Sequence, residues 1–341
     1  MITEEDMKLL SVAIPCYNSQ DYVEKCVRSL LVGGERVEII IVNDGSTDNT
    51  PAIADDFAAE YPSIVKVVHQ ENGGHGAAIN AGIAAATGTF FKAVDSDDVV
   101  SEDFPKFLDI LEEVEKLGGA DAVITNYYYV HEDGKGDRSI DFSNALPQNC
   151  IFTWNETKHF KVSQILMTHA MTFRTEQLKA NGIKLPKKTF YEDNYYVYGN
   201  LKSVERMYYV KMDLYLYTIG RAGQSVQEDV MIRRYKHQVK ATELCFRAFK
   251  LDDVESPRKL KYLKHELFIM IAISLIFARL NGSPESYEVL EKMWASFREF
   301  DPKWEHKFHK GILVVLTIPG KPGRTLVRML YSIAHKIVRF N

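Results

Sequence analysis

The amino-acid sequence predicts an α/β protein with a mostly parallel central sheet flanked by helices, followed by a helical C-terminal region. Three observations carry this. Short apolar runs alternate with segments of helical spacing through the first hundred residues. Aromatic, strand-like runs mark the middle, at 124–130 and 207–217. From Glu228 onward the apolar spacing is helical, over 230–251, 258–280 and 286–300.

Each element follows from its residues. Leu9 to Pro15 is an apolar run closed by proline, which suits a buried strand. Tyr22, Val23, Cys26, Val27, Leu30 and Leu31 then recur at helical spacing. Val37 to Val42 is a second strand, rich in β-branched residues, and the turn at Asp44–Asp48 leads to Thr50 and Pro51, a cap and first residue for a helix. Ile64 to Val68 is a third strand. Gly73 to Ala86 is a glycine loop running into an alanine-rich helix, and Thr89 to Val94 is a fourth strand ending in Asp95-Ser-Asp-Asp98. The pattern changes near Gly220, which sets the expected boundary between a domain over 1–220 and a helical region over 221–341.

At 341 residues, 46% hydrophobic and 26% charged, the chain is neither disordered nor fibrous and has length for about two domains. Cys16, Cys26, Cys150 and Cys245 are too scattered for a disulfide framework or a zinc cluster. A net charge of −4 argues against nucleic acid as a partner. That charge is unevenly spread. Beyond Glu305 there are seven cations and no acid, which leaves −11 for the rest. Within 307–341, Leu326, Leu330, Ile333 and Ile337 form one helical stripe, with Arg324, Arg328, His335 and Arg339 on another side. A basic amphipathic helix suits an anionic membrane surface; the alternative is a terminal helix packing on the body. The apolar runs at 267–278 and 312–318 are too short to span a bilayer, and the short acidic start shows neither the basic n-region nor the cleavage site expected of a signal peptide. The expected location is cytoplasmic, peripheral on the inner face of the membrane. Self-association is left open.

In an open parallel sheet, ligands bind beyond the carboxyl ends of the strands. That places four polar loops at one edge: Cys16-Tyr17-Asn18, Asn43-Asp44-Gly45-Ser46, Gln70 to Gly76, and Asp95-Ser96-Asp97-Asp98. The last holds three carboxylates in four residues, where repulsion is costly unless a cation is bound. Mg2+ or Mn2+ takes such oxygen ligands together with substrate phosphates. The bland alternative is a set of acids favoured by a helix dipole at Ser101 and Glu102.

In combination, Val12 to Asn18, Ile39 to Asp48, Asn72 to Gly82 and Asp95 to Asp98 closely resemble, in this order, the nucleotide-sugar-binding half of family 2 glycosyltransferases of GT-A fold. The resemblance covers about 1–130 and extends more weakly to about 226, implying a donor half there and an acceptor half over about 131–220. It implies an inverting, metal-dependent hexosyltransferase. Pro15 and Tyr17 match the positions that embrace the nucleobase, with Asn18 beside them, and Asp44 matches the aspartate that bonds the base edge. Asn72, Gly73, Gly74, His75 and Asn80 match the part that approaches ribose, diphosphate and sugar. Asp95 and Asp97 match the D-x-D pair on ribose and metal, with Ser96 between them and Asp98 as a helper. Phe190-Tyr-Glu-Asp-Asn194 resembles the family's Glu-Asp pair, which makes Asp193 the catalytic base and Glu192 its alternative or orienting partner. By spacing alone these two are first-turn acids of a helix. Arg221 resembles the arginine that closes over the diphosphate. Tyr191 is expected at the acceptor and His169 at the acceptor or donor sugar, although His169 also reads as a buried structural histidine.

The implied reaction moves a monosaccharide from a nucleotide sugar, with UDP expected, to a hydroxyl of a cell-surface glycan or a polyprenyl-diphosphate-linked precursor, with Mn2+ or Mg2+. The Gln-x-x-Arg-Trp motif of cellulose-synthase-like enzymes is absent, which argues against a processive synthase. A sugar nucleotidyltransferase would carry a basic, glycine-rich loop where Pro15-Cys-Tyr-Asn18 stands. A non-catalytic, glycosyltransferase-like membrane scaffold would have no need of Asp95, Asp97 and Asp193.

Overall fold

The computed structural model describes residues 8–131, 134, 136–220, 224, 227–310, 312–318 and 320–338. These fall into two compact units. The first takes described residues within Met1–Phe160, Leu166–Lys188 and Ser203–Ile219; the second takes those within Lys161–Ile165, Thr189–Lys202 and Gly220–Asn341.

The first unit is built on one sheet. Its strands are β1 (Leu10–Cys16), β2 (Val37–Asp44), β3 (Val65–Gln70), β4 (Phe90–Ala93), β5 (Val99–Val100), β6 (Ala122–His131), β7 (Arg138–Ile140), β8 (Ile151–Phe152), β9 (Met171–Arg174) and β10 (Met207–Ile219). The order is β3-β2-β1-β4-β9-β6-β10-β5, with β7 on β6 and β8 on β10. The first four strands are parallel, with Leu10 opposite Val37 on one side of β1 and Phe90 on the other. β9 enters antiparallel between β4 and β6, while β6 and β10 run parallel, so the sheet is mixed.

Every residue of β1 and β2 is buried. That is the burial expected of parallel strands with both faces covered, and it explains their unbroken apolar runs. The helices of this unit are α1 (Val23–Leu31), α2 (Thr50–Glu60), α3 (His75–Ala85), α4 (Phe104–Lys116) and α5 (Thr175–Asn181). Of the predicted stripe, α1 buries Val23, Cys26, Val27 and Leu30, at about 1.5–3 kcal/mol for each large side chain, whereas Tyr22 precedes the helix and is exposed and Leu31 is half-buried. α3 lies close on β1: a Cβ on Gly82 would sit 2.4 Å from the Ala13 Cβ. Thr50 differs from its expected capping role. It is already helical, and its hydroxyl accepts the Ser19 N–H at 2.8 Å. The buried Glu38 carboxylate in β2 takes the Ser11 hydroxyl at 2.6 Å, the Thr87 N–H at 2.8 Å and the Lys66 ammonium.

The second unit is helical: α6 (Glu192–Asn200), α7 (Glu228–Arg233), α8 (Tyr235–Arg247), α9 (Pro257–Asn281), α10 (Pro284–Phe300), α11 (Pro302–Phe308), α12 (Ile312–Thr317) and α13 (Gly320–Val338). The predicted helix at 230–251 is two helices, broken at Arg234. α9 starts at a proline under a Ser256 cap and stops at Gly282 in the left-handed region, which accounts for its sharp ends. α6 and α10 pack on α8, and α8, α12 and α13 pack on α9. Leu313, Leu316 and Val327 are buried, and the Arg279 guanidinium donates to the carbonyls of Leu316 and Thr317 at 3.2 and 2.6 Å. Part of the C-terminal segment is therefore packed on its own unit. Of the predicted stripe, Leu326 is half-buried; the side chains of Leu330, Ile333 and Ile337 lie outside the described residues, as do those of His335 and Arg339. All four cysteines are free thiols.

Candidate active site

The polar loops beyond β1, β2, β3 and β4 are tied together by side chains from the strand ends. Asp44, the last residue of β2, is buried and turned onto the glycine loop. Its Oδ1 accepts the Gly73 N–H at 2.8 Å and the Gln70 amide at 2.6 Å, and its Oδ2 accepts the Gly74 N–H at 2.7 Å. One carboxylate thus sets the conformation of the loop that opens α3. Gly74 has φ 86, and a Cβ there would meet the Lys188 backbone nitrogen at 2.9 Å, so the position needs glycine. The Asn72 backbone nitrogen lies where a Cβ on Gly45 would be, 2.8 Å away, which packs the second and third loops against each other.

Pro15 is buried in β1 opposite Val42, whereas the Tyr17 ring is 54% exposed beside it, a face available for stacking. Asn18 has φ 50; its N–H donates to Ser46 Oγ at 3.0 Å and its Oδ1 accepts the Thr47 N–H at 2.8 Å. Asn80 is engaged with the chain: its amide donates to the Leu185 carbonyl at 2.9 Å and accepts the Leu185 N–H at 3.0 Å. Ser96 Oγ shares a buried hydrogen bond with Ser19 Oγ at 2.8 Å.

The acids after β4 divide by environment. Asp95 Oδ1 accepts from His75 Nε2 at 2.9 Å. Burial works against its charge, but the hydrogen bond and positive character of His75 outweigh that and hold Asp95 below the ordinary carboxylate range. Asp98 is pushed well above that range by burial and by the charges of Asp95 and Asp97. Its Oδ2 accepts the Tyr215 hydroxyl at 2.7 Å and its Oδ1 the Thr218 N–H at 2.8 Å. Tyr215 also accepts the Asp95 N–H at 3.1 Å, so one phenol on β10 joins both acids. Asp97 is half-buried.

His169, expected at the acceptor or donor sugar, lies beside the acids. It is buried, with Nε2 4.0 Å from Asp95 Oδ2, and neither ring nitrogen has a hydrogen-bond partner. Burial pushes its imidazole down to about 4, so it is neutral at pH 7. Among the described residues, Asp95, Asp98 and His169 offer donor atoms within 4.8 Å of one another, and Asp97 is outside that set. Two oxygens and an orphaned imidazole nitrogen fit a divalent cation. Below them Lys92, fully buried, donates to the carbonyls of His169 and Met171 at 2.7 and 3.3 Å, and burial draws its amine down to about 7. Sequence reasoning missed Lys92, although a cation within the apolar run at 90–94 was a signal. It also missed Tyr215 and Thr218, which no local pattern marks.

The Glu-Asp pair lies in the second unit. Tyr191 has φ 66 and heads α6, whose first turn holds Glu192, buried, and Asp193, half-buried. The Asn194 amide donates to Asp193 Oδ1 at 3.3 Å and to the Tyr191 carbonyl at 3.1 Å. Burial pushes the Tyr191 phenol up to about 12. The preceding Phe190 ring lies 3.6 Å under the Arg234 guanidinium. Arg221 lies outside the described residues.

Residues 11–177 match the model of glycosyl transferase family 2. The uncharacterized glycosyltransferase YibD of Escherichia coli K12 is 30% identical over 243 residues, 69% of each chain. Glycosyltransferase GlyG of Streptococcus pneumoniae is 42% identical over 130 residues, and the match spans only 42% of GlyG. Among solved structures, S. aureus TarS superposes with a TM-score of 0.64 at 20% identity, covering 88% of this chain and 50% of TarS. Its 1–349 fragment, solved with UDP-GlcNAc, gives 0.53 at 18% identity over 88% and 92%. A Pyrobaculum calidifontis mannosyltransferase, solved with GDP-Man and Mn2+, gives 0.56 at 17% identity over 98% and 82%. A mixed sheet with these neighbours defines the GT-A class. Within it, the chain belongs to glycosyltransferase family 2, a family of sugar-transferring enzymes.

Proposed function

We propose that the chain is an inverting glycosyltransferase that moves a monosaccharide from a nucleotide sugar, a UDP-sugar first, to a hydroxyl of a cell-surface glycan or a polyprenyl-diphosphate-linked precursor. The observation that carries this reading is the Asp44-held glycine loop, which brings His75 onto Asp95 at the strand ends of a family 2 chain. TarS binding UDP-GlcNAc supports a uridine donor, and the Mn2+ of the mannosyltransferase supports a divalent metal.

In this reading Tyr17 stacks on the base and Pro15 closes its other side. The loop from Asn72 to His75 faces the ribose and diphosphate, with Arg221 opposite the phosphates. Asp95, with Asp97 and Asp98 beside it, would hold Mn2+ or Mg2+, which supplies Lewis-acid stabilisation of the departing diphosphate when bound. Asp193 takes the acceptor hydroxyl's proton as that oxygen bonds to the anomeric carbon, the bond to diphosphate breaks, and the configuration inverts. Glu192 orients Asp193, and Tyr191 contacts the acceptor. Exposed Val314, Ile318, Arg328 and Met329 would rest on the inner membrane face, where a lipid-linked acceptor is held.

Thermal unfolding with nucleoside diphosphates and nucleotide sugars, with and without Mn2+, tests the donor. UDP compounds should stabilise most, and Asp97→Ala should abolish the metal-dependent part. Asp193→Asn should keep donor binding and lose about 10²–10⁴-fold in transfer. Near-normal turnover in that variant would remove the base assignment.

A further inference from the structure

The acids after β4 are not alone in their pocket. His169 is 97% buried, and both its ring nitrogens lack hydrogen-bond partners. An unmet buried polar atom is costly, so a ring with two of them calls for an explanation. Disorder does not supply one, because the ring is fixed on every side. It stacks on Tyr217 at 4.4 Å, meets Tyr215 edge-on at 4.6 Å and lies 5.4 Å from Tyr127. Its backbone carbonyl is fastened by the buried Lys92 ammonium at 2.7 Å.

This rigid ring points Nε2 at Asp95 Oδ2 from 4.0 Å, too far for a hydrogen bond. The spacing suits two ligands of one ion. With metal–ligand bonds of ~2.1 Å, adjacent octahedral ligands stand ~3 Å apart and opposite ones ~4.2 Å apart. Asp98 offers a third donor inside the same 4.8 Å neighbourhood, its carboxyl held in place by Tyr215 and Thr218.

We propose that His169 is a nitrogen ligand of the divalent cation assigned above to the acids after β4, and that it makes the site prefer a first-row transition-metal ion such as Mn2+ over Mg2+. The chemistry is that of ligand softness: Mg2+ takes oxygen almost exclusively, whereas transition ions also accept imidazole. The three tyrosines and Lys92 are then positioning residues that keep the nitrogen aimed. This rests on the metal-dependent reading of the same acids and deepens it by assigning a ligand and a metal class.

The test is electron paramagnetic resonance on the full chain with Mn2+, with and without uridine diphosphate. Electron-spin-echo spectra of the bound Mn2+ should show nitrogen modulation in the wild type, a readout that needs neither turnover nor a variant. His169→Ala and His169→Gln should both lose it. Competition should show Mn2+ bound at least tenfold more tightly than Mg2+, and the variants should lose most of that ratio while Mg2+ affinity changes only a few-fold. Bound Mn2+ without nitrogen modulation, or modulation that persists in folded His169 variants, would overturn the proposal and leave the transferase reading standing. Failure to bind Mn2+ at all would overturn the proposal, and failure to bind any nucleotide sugar under any metal would separately sink the proposed function.

Discussion

Asp44 shows how much of a glycine loop can rest on one carboxylate. Its two oxygens accept the amides of Gly73 and Gly74 and the side chain of Gln70, all at 2.6–2.8 Å. Hydrogen bonds to a charged acceptor contribute about 1.5–3 kcal/mol each, and the amide of an asparagine would present a donor to one of these N–H groups. Asp44→Asn should therefore lower stability by about 2–4 kcal/mol and weaken nucleotide binding in parallel, measured by denaturant unfolding and by UDP titration. Unchanged stability would mean that the loop holds itself. The D-x-D acids, Tyr17 and the glycine loop were legible in the sequence because their types and order are unusual. The partners that give the acids different environments were not. Tyr215 lies 117 residues from Asp98, and nothing in an aromatic strand marks which phenol will turn inward.

At the scale of elements, close packing of α3 on β1 brings the glycine loop to the strand ends. Gly82 makes that approach, since an added Cβ would fall 2.4 Å from the Ala13 Cβ. Gly82→Ala should cost about 1–3 kcal/mol by overpacking, and Ala13→Gly in the same chain should recover part of it, measured as a double-mutant cycle. Strictly additive losses would show that the two sites do not meet. α9 carries a different liability. Burial raises the Glu266 carboxyl to about 8, against a hydrogen bond from Tyr262 that lowers it, and its Oε2 lacks a partner. The unfolded chain gives up this proton near the ordinary glutamate value and the folded chain keeps it to about 8, so the unfolded state binds fewer protons between the two. Stability should fall as pH rises through that window and level off above it. Glu266→Gln should flatten the fall and make the protein more stable than wild type at pH 8, checked by unfolding across pH 5–9. The parallel strands and long helices were readable because their patterns are local. β9 was not: four residues, Met171–Arg174, become a strand only because β4 and β6 stand open on either side of them.

For the molecule as a whole, net charge is a poor guide because the two ends of the chain differ so much. A sum of −4 conceals seven cations and no acid beyond Glu305. Among the described residues no helix is long and apolar enough to cross a membrane. The structure sorts the C-terminal segment's side chains into two groups. Leu313, Leu316 and Val327 are buried, and the Arg324 guanidinium donates to the Gly282 carbonyl at 2.9 Å, so these hold the segment to its own unit. Val314, Ile318, Arg328 and Met329 are exposed. Deleting the segment would uncover α9 and confuse unfolding with lost binding, so substitutions at the exposed positions test the proposal more cleanly. A cation near an anionic bilayer contributes about 1 kcal/mol, and a buried apolar side chain adds a comparable amount. The combined variant Arg328→Glu, Ile318→Ser, Met329→Ser should therefore lose at least about tenfold in sedimentation with phosphatidylglycerol vesicles. Its unfolding midpoint should stay near the wild-type value, because surface changes of this kind shift stability by only about 0.5 kcal/mol each. Binding to neutral phosphatidylcholine vesicles should be weak for both proteins. Equal sedimentation of wild type and variant with the anionic vesicles would assign the cations to solubility and return the segment to a purely packing role.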